Sequence, residues 1–170
     1  MDLKKLQEPL PANMIEFRIK TTKDNKVLLL AYKDARADMR RLDEAVGPLN
    51  WTRRHVRDNH NCVVSIWDQD KEEWVSKEDT GTESNSDAEK GLASDSFKRA
   101  CFNWGIGREL YDYPQIWVQL KANEMKDGKA LPWSIKSWRW ENWFTDGVLV
   151  ALRATDKNGE VRFQWRQQTK

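Results

Sequence analysis

Hydrophobic and polar positions divide the chain into short predicted strands and two predicted helices. Partial alternation over 14–19 predicts a first strand, and the apolar run over 27–32 predicts a second. The polar segment 23–26 between them is typical of a tight turn. The two strands are therefore expected to pair as a hairpin near the N-terminus.

A first helix is predicted from a cap at Asp34 to about Val46, where Gly47 and Pro48 follow as stop residues. Apolar side chains recur at spacings of four, three and four residues and form one stripe. The stripe contains Ala35, Met39, Leu42 and Val46. Three cations are predicted to lie off this stripe, namely Arg36, Arg40 and Arg41.

Residues 50–80 predict a three-stranded antiparallel meander with strands over 51–57, 61–67 and 73–79. Side chains two residues apart in a strand share a face. The first strand therefore presents an aromatic and basic face of Trp51, Arg53, His55 and Arg57. Such a face either follows a phosphate backbone while stacking a base, or keeps an edge strand soluble. The pattern alone leaves both open.

A second helix is predicted from a capping box of Ser86 and Glu89 to a stop at Gly105. One narrow apolar arc is expected to face a sheet, and it contains Ala93, Phe97, Ala100, Cys101 and Trp104. The other side carries Asp95, Lys98, Arg99 and Phe102, with Leu92 near Arg99. These residues either neutralise phosphates and stack a base, or form a solvated face with an Asp95–Arg99 pair.

The segment after about residue 120 differs in composition, because it interleaves tryptophans with cations. Two strands, over 148–155 and 160–166, flank the turn signal 156–159 and predict a second hairpin. The hairpin either extends the sheet or forms a separate layer. Strands and helices are segregated along the chain, so the predicted fold class is α+β. We predict a core over 1–118 and a Trp-rich extension over 119–170, packed on the same domain.

Composition excludes several classes of function. The 170 residues suit one domain, and the two cysteines are expected to be buried free thiols of a cytoplasmic protein. Two histidines and no CxxC pair make a zinc site unexpected, and no nucleophile–base or phosphate-loop motif is visible. No apolar run is long enough for a membrane span. An acidic run leaves a two-metal nuclease as an alternative, and its members are Asp68, Asp70, Glu72, Glu73, Glu78, Asp79 and Glu83.

Charge is distributed unevenly although the net charge is only +2. Residues 1–57 have 13 Lys/Arg and 8 Asp/Glu, a net +5. Residues 58–90 have 3 Lys/Arg and 10 Asp/Glu, a net charge of −7. Residues 91–170 have 13 Lys/Arg and 9 Asp/Glu, a net charge of +4. A fold that joins the first and third segments would form a positive surface.

Several segments together resemble the Rad52 superfamily of single-strand annealing proteins, in particular its small phage and bacterial members of the Sak and DdrA kind. The strongest match is the helix over 89–100 with the preceding 79–81 and the following 104–107. The other matching segments are weaker, and they occur along the chain in the order found in the family. They are 10–11 with 15–18, 32–36, 42–51 and 110–112. The resemblance covers roughly residues 8–118, and the rest of the chain matches nothing.

The resemblance implies an antiparallel β-meander crossed by the family's signature helix, in subunits that form rings or helical filaments. It also implies single-stranded DNA held by its backbone in a positive groove, with no ATP consumed. Lys98 and Arg99 match the Lys-Arg pair of the signature helix, and Arg36 lies near a basic position of the first helix. Phe102 departs from the family, since some members have a further cation there. Arg53 and Arg57 are added as DNA-binding candidates from the strand pattern alone.

The sequence therefore predicts ATP-independent annealing of complementary single strands in homologous recombination or DNA repair, as a phage recombinase. Predicted partners are single-stranded DNA and further copies of the chain, and a host single-strand-binding protein is a candidate partner. No cofactor, catalytic activity or membrane contact is expected. The alternatives are a DNA end-protecting or strand-coating protein that does not anneal, and the metal-dependent nuclease.

Overall fold

Helices and antiparallel sheets are both present, so the α+β fold class is confirmed. The computed structural model describes residues 2–82, 88–131 and 133–168. Within these ranges the helices are α1 (Ala35–Val46) and α2 (Ala88–Asn103). The strands are β1 (Ile15–Lys23), β2 (Lys26–Lys33), β3 (Trp51–Val56), β4 (Asn61–Asp68), β5 (Glu73–Thr80), β6 (Ile116–Gln119), β7 (Met125–Lys126), β8 (Lys129–Ala130), β9 (Arg139–Thr145), β10 (Val148–Thr155) and β11 (Val161–Arg166).

The chain divides into two units. The first combines Met1–Pro9 with Lys33–Arg108, and the second combines Leu10–Tyr32 with Glu109–Lys170. Both helices and the meander β3-β4-β5 belong to the first unit. The sheets β1-β2-β6 and β9-β10-β11 belong to the second. The division of the chain into a core and an extension after residue 118 stays a prediction.

Helix α1 has the predicted ends but a different buried face. The Asp34 carboxylate accepts a hydrogen bond from the Arg36 amide at 2.6 Å, and Gly47 ends the helix with a φ of +87°. Met39 is only partly buried, whereas Arg41 is buried and contacts the N-terminal segment. Its Nη1 donates to the Lys5 carbonyl at 3.1 Å. The expectation that Arg41 lies off the buried stripe was therefore wrong, because the segment before β1 covers that side of the helix.

Helix α2 crosses the predicted meander with its apolar arc facing β4 and β5. Phe97 is fully buried, and the Trp104 indole donates to the Val64 carbonyl at 3.1 Å. Leu92 is also buried, although the pattern had placed it on the opposite side. Gly105 confirms the predicted stop with a φ of +102°. The predicted capping box of Ser86 and Glu89 lies outside the described side chains.

Gly81 lies where the chain leaves β5 and passes close beneath α2. A Cβ at this position would lie 2.6 Å from the Ser96 amide nitrogen and 2.9 Å from the Leu92 carbonyl oxygen. These are backbone atoms, so relief requires the helix itself to move.

We expect Gly81→Ala to lower the free energy of unfolding by about 1–3 kcal/mol, the usual cost of inserting a group into a filled space. Urea denaturation of the variant measures this, with Gln69→Ala in an exposed turn as the control. Equal stability of the two variants would show that α2 adjusts without cost.

In the second unit, the N-terminal hairpin and the Trp-rich segment share one hydrophobic core. Buried residues of β2 and β6, such as Val27 and Ile116, cluster with Leu152 and Ala154 of β10. The Phe17 and Trp140 rings stack with centroids 3.6 Å apart. The predicted tail hairpin is present as β10 and β11, and β9 adds a third strand to it. The tryptophan-rich tail therefore forms a separate sheet and does not extend the meander.

The two cysteines are free and buried, as expected. Burial raises the pKa of the Cys62 thiol to about 11 and that of Cys101 well above its usual value. Neither thiol is therefore activated as a nucleophile. Over the described ranges, every helix is too short or too polar to cross a membrane.

Candidate nucleic-acid interface

Arg36 and Lys98 both influence the carboxyl of Asp34, the residue that caps the start of α1. Arg36 is largely exposed and its guanidinium lies 3.3 Å from the Asp34 carboxylate. The Arg36 amide is the main cause of the lowered pKa of Asp34, although partial burial opposes it. The charges of Arg36 and Lys98 lower this pKa further. The charges of two predicted DNA-binding cations that are 62 residues apart in the sequence thus both act on this carboxyl.

Arg99 lies in a different environment from its neighbour Lys98. Its Nε lies 3.3 Å from the Asp79 carboxylate of β5, and the pair is partly exposed. Asp95, the expected partner of Arg99, instead accepts a hydrogen bond from the Thr82 amide at 2.9 Å. Consecutive helical residues point about 100° apart, so Lys98 and Arg99 face different surroundings. The charge of Arg99 is therefore already partly compensated within the unit.

The basic face predicted for β3 is the face on which α2 packs. The Arg53 guanidinium lies 4.8 Å from the centre of the Phe97 ring, and Trp51 stacks on the same ring at 6.3 Å. His55 Nδ1 lies 3.4 Å from the Ser96 hydroxyl. The strand pattern gave the correct grouping of these side chains but not the element that covers them. Arg53 remains exposed at the rim.

Arg57 is not part of this face. Strand β3 ends at Val56, and Arg57 begins a turn in which three successive residues have positive φ, with Arg57 at 52°. The exposed side chain of Arg57 therefore does not follow the alternation of the strand. The expectation that Arg57 extends the Arg53 row was wrong for this reason, and its contact with DNA stays a prediction.

Phe102 is half-buried and contacts a buried cation. The Lys33 ammonium lies 3.8 Å from the centre of the Phe102 ring. The same ammonium donates to the Asp38 carboxylate at 2.5 Å and to the Ile106 carbonyl at 2.6 Å. One side of the ring is thus occupied by a cation–π contact. A role of Phe102 in base stacking stays a prediction.

Lys33 and Asp38 form a buried ion pair that the sequence did not reveal. Their side chains are 1% and 0% exposed. Burial raises the pKa of Asp38 to about 6 although the Lys33 charge opposes this, and one carboxylate oxygen has no partner among the described residues. The pair connects β2, α1 and the segment after α2. Its only sequence signal is a lysine at the end of an apolar strand, which is not specific.

The acidic run does not form a metal site in the part of the chain that the structure describes, where no three candidate ligands come together. Asp79 pairs with Arg99, and Asp68 accepts hydrogen bonds from the Asp70 and Lys71 amides of its own turn. Glu83 lies outside the described residues. Among the described members of the acidic run, the nuclease alternative thus has no assembled site.

A meander crossed by a helix that carries a Lys-Arg pair is the arrangement implied by the sequence resemblance. Comparison with protein families agrees, because residues 2–129 match the family described as Rad52/22 family double-strand break repair protein. The chain belongs to this Rad52/22 family.

Two curated relatives carry the name single-stranded DNA-binding protein DdrA. The protein of Deinococcus radiodurans is 36% identical over 119 residues, which are 68% of this chain and 57% of that protein. The protein of Deinococcus deserti is 33% identical over 139 residues, which are 79% of this chain and 68% of that protein. The chain thus spans less than two thirds of the first relative. No solved structure matches the chain significantly.

Proposed function

We propose that this protein binds single-stranded DNA and anneals complementary strands without nucleotide hydrolysis, in recombination or double-strand break repair. The observation that carries the proposal is that both helices of a Rad52/22 family fold carry cations that are not buried, Arg36 on α1 and Lys98 and Arg99 on α2. Three cations offset by the two carboxylates of Asp34 and Asp79 leave a net positive charge for a phosphate backbone. The relatives named for single-stranded DNA binding support the same substrate.

In this proposal the cations hold the DNA backbone and leave the bases accessible to a complementary strand. Lys98 provides the least compensated charge, Arg36 extends the surface along α1, and Arg99 adds a charge shared with Asp79. Ring or filament assembly would repeat the surface in each copy and lengthen the path available to one strand. Action in the cytoplasm, phage origin and contact with a host single-strand-binding protein are further parts of the proposal.

Two measurements with the purified full chain test this function. Fluorescence anisotropy with a labelled oligo-dT and with a duplex of equal length should show tighter binding to the single strand. Mixing two complementary oligonucleotides without ATP should give faster duplex formation in the presence of the protein. The absence of single-strand binding at low salt would refute the proposal. Incubation with Mg²⁺ or Mn²⁺ should leave the DNA intact, and cleavage would support the nuclease instead.

A second function, passive coating or protection of DNA ends, is favoured by the name of the two DdrA relatives, which states binding and not annealing. The annealing assay separates the two functions. Tight binding with unchanged or slowed annealing, together with protection of a 3′ or 5′ end from an added exonuclease, would support the coating function.

A further inference from the structure

The solvent-facing side of the β9-β10-β11 sheet carries an aromatic and basic surface. Strand register places Trp143, Ala151 and Arg166 directly opposite one another on three neighbouring strands. The next row on the same face contains Glu141, Arg153 and Gln164. The alternate residues of β10, Leu152 and Ala154, are fully buried in the core on the opposite face. We name the first two rows the Trp143 face.

The Trp143 face contains a depression because its central strand carries the smallest side chain. Ala151 lies between Trp143 and Arg166, and the open depression above it has a volume of about 200 Å³. Trp143 is 43% exposed and Arg166 is also exposed. A large aromatic ring thus forms one wall and a guanidinium the other.

Neighbouring side chains hold the surface in place. The Arg153 guanidinium lies 5.5 Å from the centre of the Trp143 ring and donates to the Glu141 carboxylate at 2.7 Å. Arg139, which neighbours this row on the sheet, lies 3.6 Å from the same carboxylate. Arginine against an aromatic face restricts both side chains. The ring is therefore ordered before any ligand arrives, which reduces the entropic cost of binding.

We propose that the Trp143 face is a second binding surface for single-stranded DNA, in addition to the surface at Lys98 and Arg36. Trp143 stacks on an unpaired base, while Arg166 and Arg153 contact the flanking phosphates. The charges favour a nucleic acid, because the Trp143 face and the adjoining Arg139 together carry three arginines, Arg139, Arg153 and Arg166, and one carboxylate, Glu141. Stacking on an exposed ring requires an unpaired base, so a single strand fits and a duplex does not.

This inference extends the proposed function to a segment outside the family match, which ends at residue 129. It rests on the proposal that the chain binds single-stranded DNA. It also gives a purpose to a tryptophan that the core does not use, since Trp140 and Trp165 pack inward whereas Trp143 points outward.

The test compares the affinity of the full chain for oligo-dT in variants of the Trp143 face. We expect Trp143→Ala to weaken binding about tenfold, within the roughly five- to 150-fold range that the loss of one base stack gives. Trp143→Phe should retain most of the affinity, and Arg166→Gln should weaken binding with a shallower salt dependence. Ultraviolet cross-linking of oligo-dT followed by peptide mapping should place a cross-link within β9 or β11.

Matched controls distinguish this surface from general effects of charge and aromatic content. Trp74→Ala removes a tryptophan of the first unit that is 44% exposed, and Arg18→Gln removes an exposed arginine of the second unit. Both should bind like the unaltered chain. If Trp143→Ala binds normally while Lys98→Ala binds weakly, the second surface is wrong and the proposed function stands. If the unaltered chain does not bind single-stranded DNA, both are wrong. Protection of β9 from hydrogen exchange by self-association without DNA, with normal binding by Trp143→Ala, would show a protein contact instead.

Discussion

Replacing Lys33 with Met is expected to lower the free energy of unfolding by about 3–5 kcal/mol at pH 8. The substitution leaves the Asp38 carboxylate buried without its cation, and breaking a buried pair on one side has a cost of this size. It also removes the hydrogen bond to the Ile106 carbonyl and the contact with the Phe102 ring. Urea denaturation of the variant and the unaltered chain measures the loss.

The loss in free energy of unfolding caused by Lys33→Met should become smaller as the pH falls. The folded-state pKa of Asp38, already raised to about 6 by burial, rises further when the opposing Lys33 charge is removed. Between the ordinary value of 3.8 and this raised pKa, the folded variant keeps a proton that the unfolded chain has released. Stability then decreases with rising pH, by about 1.4 kcal/mol per pH unit at most. We therefore expect a smaller difference from the unaltered chain at pH 5 than at pH 8.

The double variant Lys33→Met plus Asp38→Leu is the matched control, since it removes both charges. Replacing a whole buried pair by apolar residues is often neutral or stabilising, so most of the lost stability should return. A double variant as unstable as the single one would mean that packing, and not the unpaired carboxylate, causes the loss. The same double variant shows whether the pair matters for DNA binding once the fold is intact.

Replacing Lys98 and Arg99 together with Ala is expected to weaken binding to oligo-dT about tenfold or more while the fold remains intact. Hydrogen bonds to charged groups contribute about 1.5–3 kcal/mol each, and two cations are removed. The slope of log affinity against log salt should become shallower by about 0.7 for each lost phosphate contact. Fluorescence anisotropy over a series of salt concentrations measures both quantities, and circular dichroism checks the fold.

The two single variants, Lys98→Ala and Arg99→Ala, should not lose the same amount of affinity for oligo-dT. Arg99 is paired with Asp79, whereas no carboxylate among the described residues lies within ion-pairing distance of Lys98. We therefore expect a larger loss of affinity for Lys98→Ala than for Arg99→Ala, and tighter binding for Asp79→Asn. The exposed pair Lys23→Ala plus Lys26→Ala, on either side of the turn between β1 and β2, controls for the loss of two charges. Unchanged affinity and salt slope in the Lys98 and Arg99 double variant would contradict the site.

Helix α2, which carries Lys98 and Arg99, shows that a local sequence pattern predicts burial but not tertiary partners. Phe97, Ala100 and Cys101 are buried as their helical spacing predicted. The spacing did not predict that Arg99 pairs with Asp79, because this partner comes from β5, outside the helix. The same holds for Asp95, whose expected pairing with Arg99 is replaced by hydrogen bonds to Thr82.

Strand β3 is a second example of what a local sequence pattern can and cannot predict. Alternation correctly grouped Trp51, Arg53 and His55 on one face, since side-chain period is a property of the strand alone. The alternation gave no information on which face of β3 the helix α2 would cover. The helix covers the face that carries Arg53. Arg57 was misplaced because a turn of successive positive φ values begins there, and no glycine marks it in the sequence.

The sequence by itself determined the α+β class, the three-stranded meander, the tail hairpin and the ends of α1, because these depend on periodicity, turn residues and caps within short segments. Its family resemblance is supported by the family match. Only the tertiary structure decided that Lys33 and Asp38 are paired in the interior, that Arg99 pairs with Asp79 of β5, and that Trp143 is exposed beside Ala151. Each of these depends on contacts between elements distant in the chain. Such contacts are fixed by the packing of whole surfaces, and local sequence does not encode them separately.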